Sequence, residues 1–387
     1  MNSSYGNYPD LSDVKKVLVI KLRHLGDVLL SAPVFSNLKK QFPDAEIDAY
    51  IWAEAKPMLE GHRGVSNFTL HHRGWKKLSF FKQVTKELSL LRMIRKEGYD
   101  LVVNLTEGDR GALATFASGA RVRVGVDPGK SGFAKKRQIF THLVKPCSTP
   151  RHTVEKDLDA LRRIGIFAKM DERFVEFVIP DESKESALEM IQSEGLEPGG
   201  FTLIHPVSRW GFKCLPPAKM AEVIDRLDSK VVLTGGPSER EMEMAEEIAR
   251  LSQCDVVNFA GKTSLKELGA LMQLSKGMIT VDSVALHMGS ALQIPLVALF
   301  GPTSEKNWGP WMHPRGVVVA QNPSCRPCRL DGCGGSKMSD CLWSLSSEAI
   351  VKAYDKAAYP SEGAVAAAGT CGSSLFVLNS LEMNFTE

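Results

Sequence analysis

No run of about 18 consecutive apolar residues occurs in the 387-residue chain, so no membrane-spanning helix is expected. The opening stretch, MNSSYGNYPDLSD, lacks the apolar core of an export signal, and a cytoplasmic location is expected from it. Eight cysteines are too few for a disulfide scaffold. No H-E-x-x-H, Walker A or G-x-S-x-G pattern is present, which argues against a zincin, a P-loop NTPase and an α/β-hydrolase. The dinucleotide fingerprint G-x-G-x-x-G is missing after the first strand-like run. No repeat or low-complexity tract is visible. With 43% hydrophobic and 24% charged residues the composition is that of a globular protein, and the length suits two domains.

Charge is unevenly placed. Residues 1–165 carry 28 Lys and Arg against 17 Asp and Glu, a net of +11, whereas residues 166–387 carry 20 against 28, a net of −8. The asymmetry suggests an anionic partner for the first half; the plain alternative is an unevenly solvated surface.

Short β-branched runs alternate with helical spacing. KVLVIKL, AEIDAYIW, FTLHH, YDLVVNL and VRVGV read as strands, with helices after RHLGD, near Glu54–Glu60, over about Lys77–Gly98 and at GALATFASG. FTLIHPV, KVVLTGG, DVVNF, GMITVD and PLVALFG repeat this grammar in the second half. Alternation at these distances predicts an α/β fold of two doubly wound parallel sheets. The expected division is residues 1–165, residues 166–345, then a helix from about Ser346 that packs back and a poorly ordered tail after Pro360. Ligands of such sheets bind at the carboxyl ends of strands, so a cleft between two facing units is the expected site.

The informative loops fall at strand ends. In His24-Leu25-Gly26-Asp27, Asp27 suits either a helix cap or a general base. His205–Lys213 places Ser208 and Lys213 where they suit a phosphate, though a bland polar loop has the same composition. In Thr234–Glu239, Glu239 suits ribose hydroxyls or the dipole of the helix it opens. Val281–His287 closes a strand and opens a helix whose free N–H groups can take an anion; His287 reads as a structural histidine or as part of that turn. Cys325, Cys328, Cys333 and Cys341 crowd into 17 residues, with a structural metal, plain thiols and redox-sensitive disulfides all open.

Together these pieces resemble glycosyltransferase family 9, the lipopolysaccharide heptosyltransferases. The resemblance rests on VLVIKLRHLGDVLLSAP, IHPVSRWGFKCLPP, LTGGPSE, FAGKTSLKELGALM, VDSVALHMGSAL and PLVALFGPT, in the family's order over about residues 15–345. The VSRWGFKC loop and the cysteine segment are most similar to the heptosyltransferase III group. Two departures stand out: Cys214-Leu215-Pro216 follow the lysine where an aromatic and proline are usual, and the tail beyond about residue 360 has no counterpart. The resemblance implies a GT-B fold, with a donor-binding second domain and an acceptor-binding first domain. It implies inverting transfer of L-glycero-D-manno-heptose from ADP-heptose to the lipid A–core lipopolysaccharide, with no cofactor, metal or nucleic acid required. It makes Asp27 the catalytic base and places Ser208 and Lys213 at the phosphates. Glu239 falls at the ribose, Thr263 on the adenine side and Asp282 at the donor heptose, with Ser283, Val284 and His287 at the diphosphate. A peripheral position on the cytoplasmic face of the inner membrane follows. Arg73, Lys76 and Lys77, in a stretch of basic and aromatic residues, are the expected acceptor or membrane contact, with Lys135–Arg137 as a second basic surface. Two other readings are a GT-B enzyme using another nucleotide sugar and a non-catalytic two-domain sugar-binding protein.

Overall fold

The computed structural model describes residues 8–359 and the backbone of 377–378. Nearly all of the tail expected after Pro360 lies outside the described residues. Two compact units divide the chain at Val178 and Ile179.

In the first unit the apolar runs form β1 (Lys16–Lys21), β2 (Glu46–Trp52), β3 (Asn67–His71), β4 (Leu101–Asn104), β5 (Val122–Val126) and β6 (His142–Val144). They make one sheet in the order β3-β2-β1-β4-β5-β6, every neighbouring pair parallel. Parallel strands need long crossovers, and the alternating helices supply them. The crossovers include helices Ala32–Gln41, Phe80–Glu97 and Asp109–Ser118. Helices 80–97 and 109–118 stop at Gly98 and Gly119, whose φ values of 70° and 65° lie in the left-handed region that glycine enters without strain. The single helix expected after Asp27 is broken at Leu30 and Ser31, with Pro33 in the first turn of the second piece, where its missing N–H costs nothing.

The boundary falls later than residue 165, for a visible reason. Helix Thr153–Arg162 and the segment that follows it are tied into the first unit. Asn37 Nδ2 donates to the Glu172 carbonyl at 2.8 Å, Arg173 Nη1 lies 3.0 Å from Glu155, and Val175 and Phe177 are buried.

The second unit holds β7 (Phe201–His205), β8 (Lys230–Leu233), β9 (Val256–Asn258), β10 (Gly277–Val281), β11 (Leu296–Phe300), β12 (Gly316–Ala320) and the two-residue β13 (Val377–Leu378). Their order is β13-β12-β11-β10-β7-β8-β9, again all parallel. Both sheets therefore reverse strand order beside their first strand, between β1 and β4 and between β7 and β10. Loops at the carboxyl ends diverge at such a switch point and leave a crevice for a ligand. Helix Asp181–Ser193, not evident from the sequence pattern, packs on helix Leu265–Leu274. Helix Ser347–Ala358 packs on β11, β12 and helix Pro217–Ile224 of this same unit. Its Tyr354 hydroxyl accepts from Thr202 Oγ1 at 2.6 Å at the sheet's core.

Burial sets an acid limit on stability. His71, His205 and His313 are each pushed down from the ordinary 6.5 to about 4, chiefly by loss of water. The unfolded chain takes up these protons near 6.5 and the folded chain only near 4. The stability contribution is thus present above 6.5 and is lost as pH falls through that window. Asp157 runs the other way, since burial lifts its carboxyl to about 6. For His205 alone the loss reaches about 2 kcal/mol by about pH 5. Thermal melts across this range should show Tm falling with pH, with a shallower slope for His205→Gln; equal slopes would remove His205 as a cause.

Candidate active site

At the carboxyl end of β1 the chain turns directly into the short helix Leu25–Leu29, which fixes Asp27 as its third residue. Asp27 is 9% exposed. Its Oδ2 accepts the His24 backbone N–H at 3.3 Å, and its Oδ1 lies 3.7 Å from Arg23 Nε. The capping role therefore occupies one carboxylate oxygen and leaves the other beside a half-exposed guanidinium. Behind it stands a buried ion pair: Lys21 Nζ lies 2.7 Å from both oxygens of Asp157, on helix 153–162. Burial raises the Asp157 carboxyl, Lys21 opposes that rise, and the negative charge of Asp27 adds to it. Across the switch point, Thr106 Oγ1 accepts the Leu22 N–H at 2.8 Å, so the loops after β1 and β4 hold one another.

The second unit carries a denser constellation. The loop after β7 brings Lys213 to Asp282, which follows β10, with Nζ 2.6 Å from Oδ2. Thr303, after β11, donates to the same oxygen at 2.6 Å. Ser208 Oγ donates to the Asp282 carbonyl at 3.3 Å and accepts the Trp210 N–H at 3.4 Å, while Arg240 donates to the Ser208 carbonyl. Asp282 and Ser208 are buried, and Lys213 is partly exposed. Ser283 caps helix Val284–Ala291 by backbone conformation only; no side-chain cap bond forms, so its hydroxyl is not spent on the helix start. His287 is buried one turn on, its ring centroid 6.1 Å from Trp308.

Glu239 begins helix Glu239–Leu251 and faces solvent. Glu241, not Glu239, secures the glycine turn, accepting the Gly236 N–H at 2.8 Å. A Cβ on Gly236 would stand 2.5 Å from that carboxylate and would push it off the turn. Thr263 is half-buried just before Ser264, the capping residue of helix 265–274.

Sequence reasoning missed Thr303, Lys21 and Asp157. The apolar strand pattern hides Lys21, and Thr303 closes the run PLVALFGPT, in which its hydroxyl was given no role. Arg73 departs from the expected basic patch. It pairs with Glu54 and stacks over Trp52 at 4.8 Å, whereas Lys76 and Lys77 are exposed.

The four clustered cysteines line one cavity of about 330 Å³ with Arg326 and Asp340. All four are free thiols here, and burial raises the Cys341 thiol. Among the described residues no group of three or more His, Cys, Asp or Glu is placed to hold a metal ion. The segment braces the loops that follow β7 and β11. Arg326 donates to the Gly301 carbonyl at 2.7 Å and to Glu305 at 2.7 Å. Ser339 Oγ donates to the Phe212 carbonyl at 2.7 Å, and Trp343 Nε1 to that of Cys214 at 3.3 Å. Arg326→Ala leaves the Glu305 carboxylate uncompensated, at a cost of about 3–5 kcal/mol. Its Tm should fall accordingly; an unchanged melt would deny Arg326 the bracing role.

Comparison with known proteins places this arrangement. The chain is 33% identical over 294 residues to lipopolysaccharide heptosyltransferase 3 of Escherichia coli, covering 75% of this chain and 84% of that protein. It is 24% identical over 315 residues to lipopolysaccharide heptosyltransferase 2 of Escherichia coli strain K12, covering 78% and 87%. Two solved structures share the fold. The glycosyl transferase family 9 protein of Veillonella parvula superposes with a TM-score of 0.75 at 22% identity, covering 90% of this chain and 98% of its own. The ADP-heptose heptosyltransferase II of Escherichia coli gives 0.70 at 20%, covering 89% and 98%. Two Rossmann-like units of this kind make the GT-B fold. The signature of glycosyltransferase family 9 (heptosyltransferase) matches residues 87–338, more than half of the sequence, and the chain belongs to that family.

Proposed function

We propose that this glycosyltransferase moves L-glycero-D-manno-heptose from ADP-heptose to the inner core of lipopolysaccharide, as a heptosyltransferase III-like enzyme acting with inversion. The observation that carries the reading is the Lys213–Asp282–Thr303 knot at the switch point of the second sheet, in a chain one-third identical to a heptosyltransferase 3.

In this reading Asp27 accepts the proton of the acceptor hydroxyl as its oxygen bonds to the anomeric carbon. The bond from that carbon to the diphosphate oxygen breaks, and ADP leaves. Lys213, Ser208 and the open helix start at Ser283 and Val284 take up the growing charge on the diphosphate, aided by His287. Asp282, its Oδ2 shared by Lys213 and Thr303, presents its other oxygen to the heptose hydroxyls. Glu239 takes the ribose and Thr263 lies by the adenine. Lys213 and the helix N–H groups supply the positive charge the leaving group needs, and we propose that no cofactor is required. A cytoplasmic enzyme peripheral to the inner membrane fits a lipid-anchored acceptor.

The test is a mass-spectrometric transfer assay with ADP-heptose, truncated core acceptors, and UDP- and GDP-sugars as controls. A single heptosyl addition confined to ADP-heptose is expected. Turnover of another nucleotide sugar in preference, or none with any core acceptor, would overturn the proposal.

A further inference from the structure

Helix Phe80–Glu97 buries only Leu90 and Ile94, yet one flank of its exposed surface is apolar. Phe80 is 73% exposed and Phe81 82%, with Val84 and Leu88 also in solvent. Residues 80, 84 and 88 stand one above another at helical spacing, with residue 81 beside them. Helix Asp109–Ser118 runs alongside in the same direction. Arg110 donates to Glu87 at 2.8 Å near one end and Arg95 to the Ser118 carbonyl at 3.4 Å near the other. From this second helix Leu113 and Phe116 add to the apolar surface, Phe116 being 69% exposed. Three phenylalanines in water on two adjacent helices are a patch that needs a partner.

The charges around the patch say which partner. Residues 73–97 hold eight Lys and Arg and two acids. Both acids are already engaged: Glu87 by Arg110, and Glu97 by Lys16 at 2.8 Å. Lys76 and Lys77 just before the helix, and Arg92 and Lys96, which continue the row from Leu88 at i+4 and i+8, are exposed, and none has an acid within 4 Å among the described residues. An apolar stripe continued by unneutralised cations matches an anionic bilayer surface, where the rings enter the acyl boundary and the cationic groups meet the headgroups. A protein partner would demand acidic groups around an equally apolar patch. The bilayer supplies both at once.

We infer that helices 80–97 and 109–118 form a membrane-inserting face, with Phe80, Phe81 and Phe116 as the wedge and Lys76, Lys77, Arg92 and Lys96 as its anionic-lipid contacts. This places the membrane contact on the two phenylalanine-bearing helices and leaves Arg73 out of it. The inference rests on the proposed lipid-anchored acceptor for its biological sense, but the two fail separately. Transfer to a soluble core oligosaccharide tests the reaction, and vesicle binding tests the face.

The experiment is co-sedimentation of the full chain with vesicles of phosphatidylcholine alone and of phosphatidylcholine mixed with phosphatidylglycerol, at low and high salt. Wild type, the double variant Phe80→Ser/Phe81→Ser and the double variant Arg92→Gln/Lys96→Gln are compared. Circular dichroism, ADP affinity and light scattering accompany each, and all four exchanged side chains are exposed, so folding should persist. Partition of the phenylalanine variant should fall by about 100-fold at either salt, since each ring is worth on the order of tenfold. The Arg92/Lys96 variant should lose about fivefold per residue on anionic vesicles at low salt only, because salt screens that contribution. Wild type that ignores anionic vesicles, or a phenylalanine variant that sediments like wild type, overturns the inference. So does a wild-type dimer that the phenylalanine variant converts to a monomer while vesicle binding stays unchanged, since a second copy would then cover the face.

Discussion

Asp27→Asn is expected to lower heptosyl transfer by about 10²–10⁴-fold, the usual cost of losing a general base, while ADP binds as before. The substitution keeps the shape of the side chain and its acceptance of the His24 N–H, so the short helix at the end of β1 should remain. What goes is the charge. Asp27 sits beside Arg23 and is felt by the buried Lys21–Asp157 pair, in a setting that holds a carboxylate in place. ADP affinity should not move, because the groups assigned to ADP lie in loops of the second unit. Rapid-quench transfer and calorimetry on the same preparation separate the two effects. Turnover near wild type would remove Asp27 as the base and reduce it to a cap. Asp157→Asn supplies a contrast: breaking a buried pair costs about 3–5 kcal/mol, so this variant should be read first by its melt.

The second large effect is expected from Lys213→Ala. Lys213 is the cation nearest Asp282, and the proposal gives it the departing diphosphate. Removing a preorganised charge from a leaving group costs about 10²–10³-fold in rate. It also leaves the Asp282 carboxylate buried with Thr303 as its remaining partner at that oxygen, so some stability is lost as well. Calorimetry with ADP distinguishes the roles. A lysine that meets phosphate loses ADP affinity when truncated. A lysine that only holds Asp282 loses transfer with ADP affinity intact, and that outcome would contradict its assignment to the diphosphate. Asp282→Asn should behave in reverse, keeping ADP while weakening the heptose-bearing donor. Lys213→Arg is not expected to rescue fully, because a planar fork cannot replace a compact ammonium beside a single shared oxygen.

Much of the fold was legible because parallel strands are buried on both faces. KVLVIK, FTLIH, GMITV and LVALF are continuous apolar runs that can scarcely be anything else, and each carries its informative loop at its carboxyl end. Short or weakly patterned pieces were not legible. The three-residue β6 and helix 181–193, whose exposed face is almost wholly charged, carry little periodic signal of their own. Nor was the boundary at residue 178, because Asn37, Lys40 and Glu155 claim residues 172 and 173 from far along the chain.

By itself the sequence determined the α/β class, the two doubly wound sheets, the family, and the loops where Asp27, Ser208, Lys213, Glu239 and Asp282 stand. Local pattern suffices for these, because side-chain period and turn residues act over a few positions. Only the tertiary structure decided which of those groups meet. Lys213 and Asp282 are 69 residues apart, and Lys21 and Asp157 are 136 apart. Thr303 joins Asp282 from a third strand, Arg73 turns aside to Glu54 and Trp52, and the cysteine segment becomes a brace for the loops after β7 and β11. Such pairings are set by strand order and by the need of buried charges for partners, and neither is written in the spacing of residues along the chain.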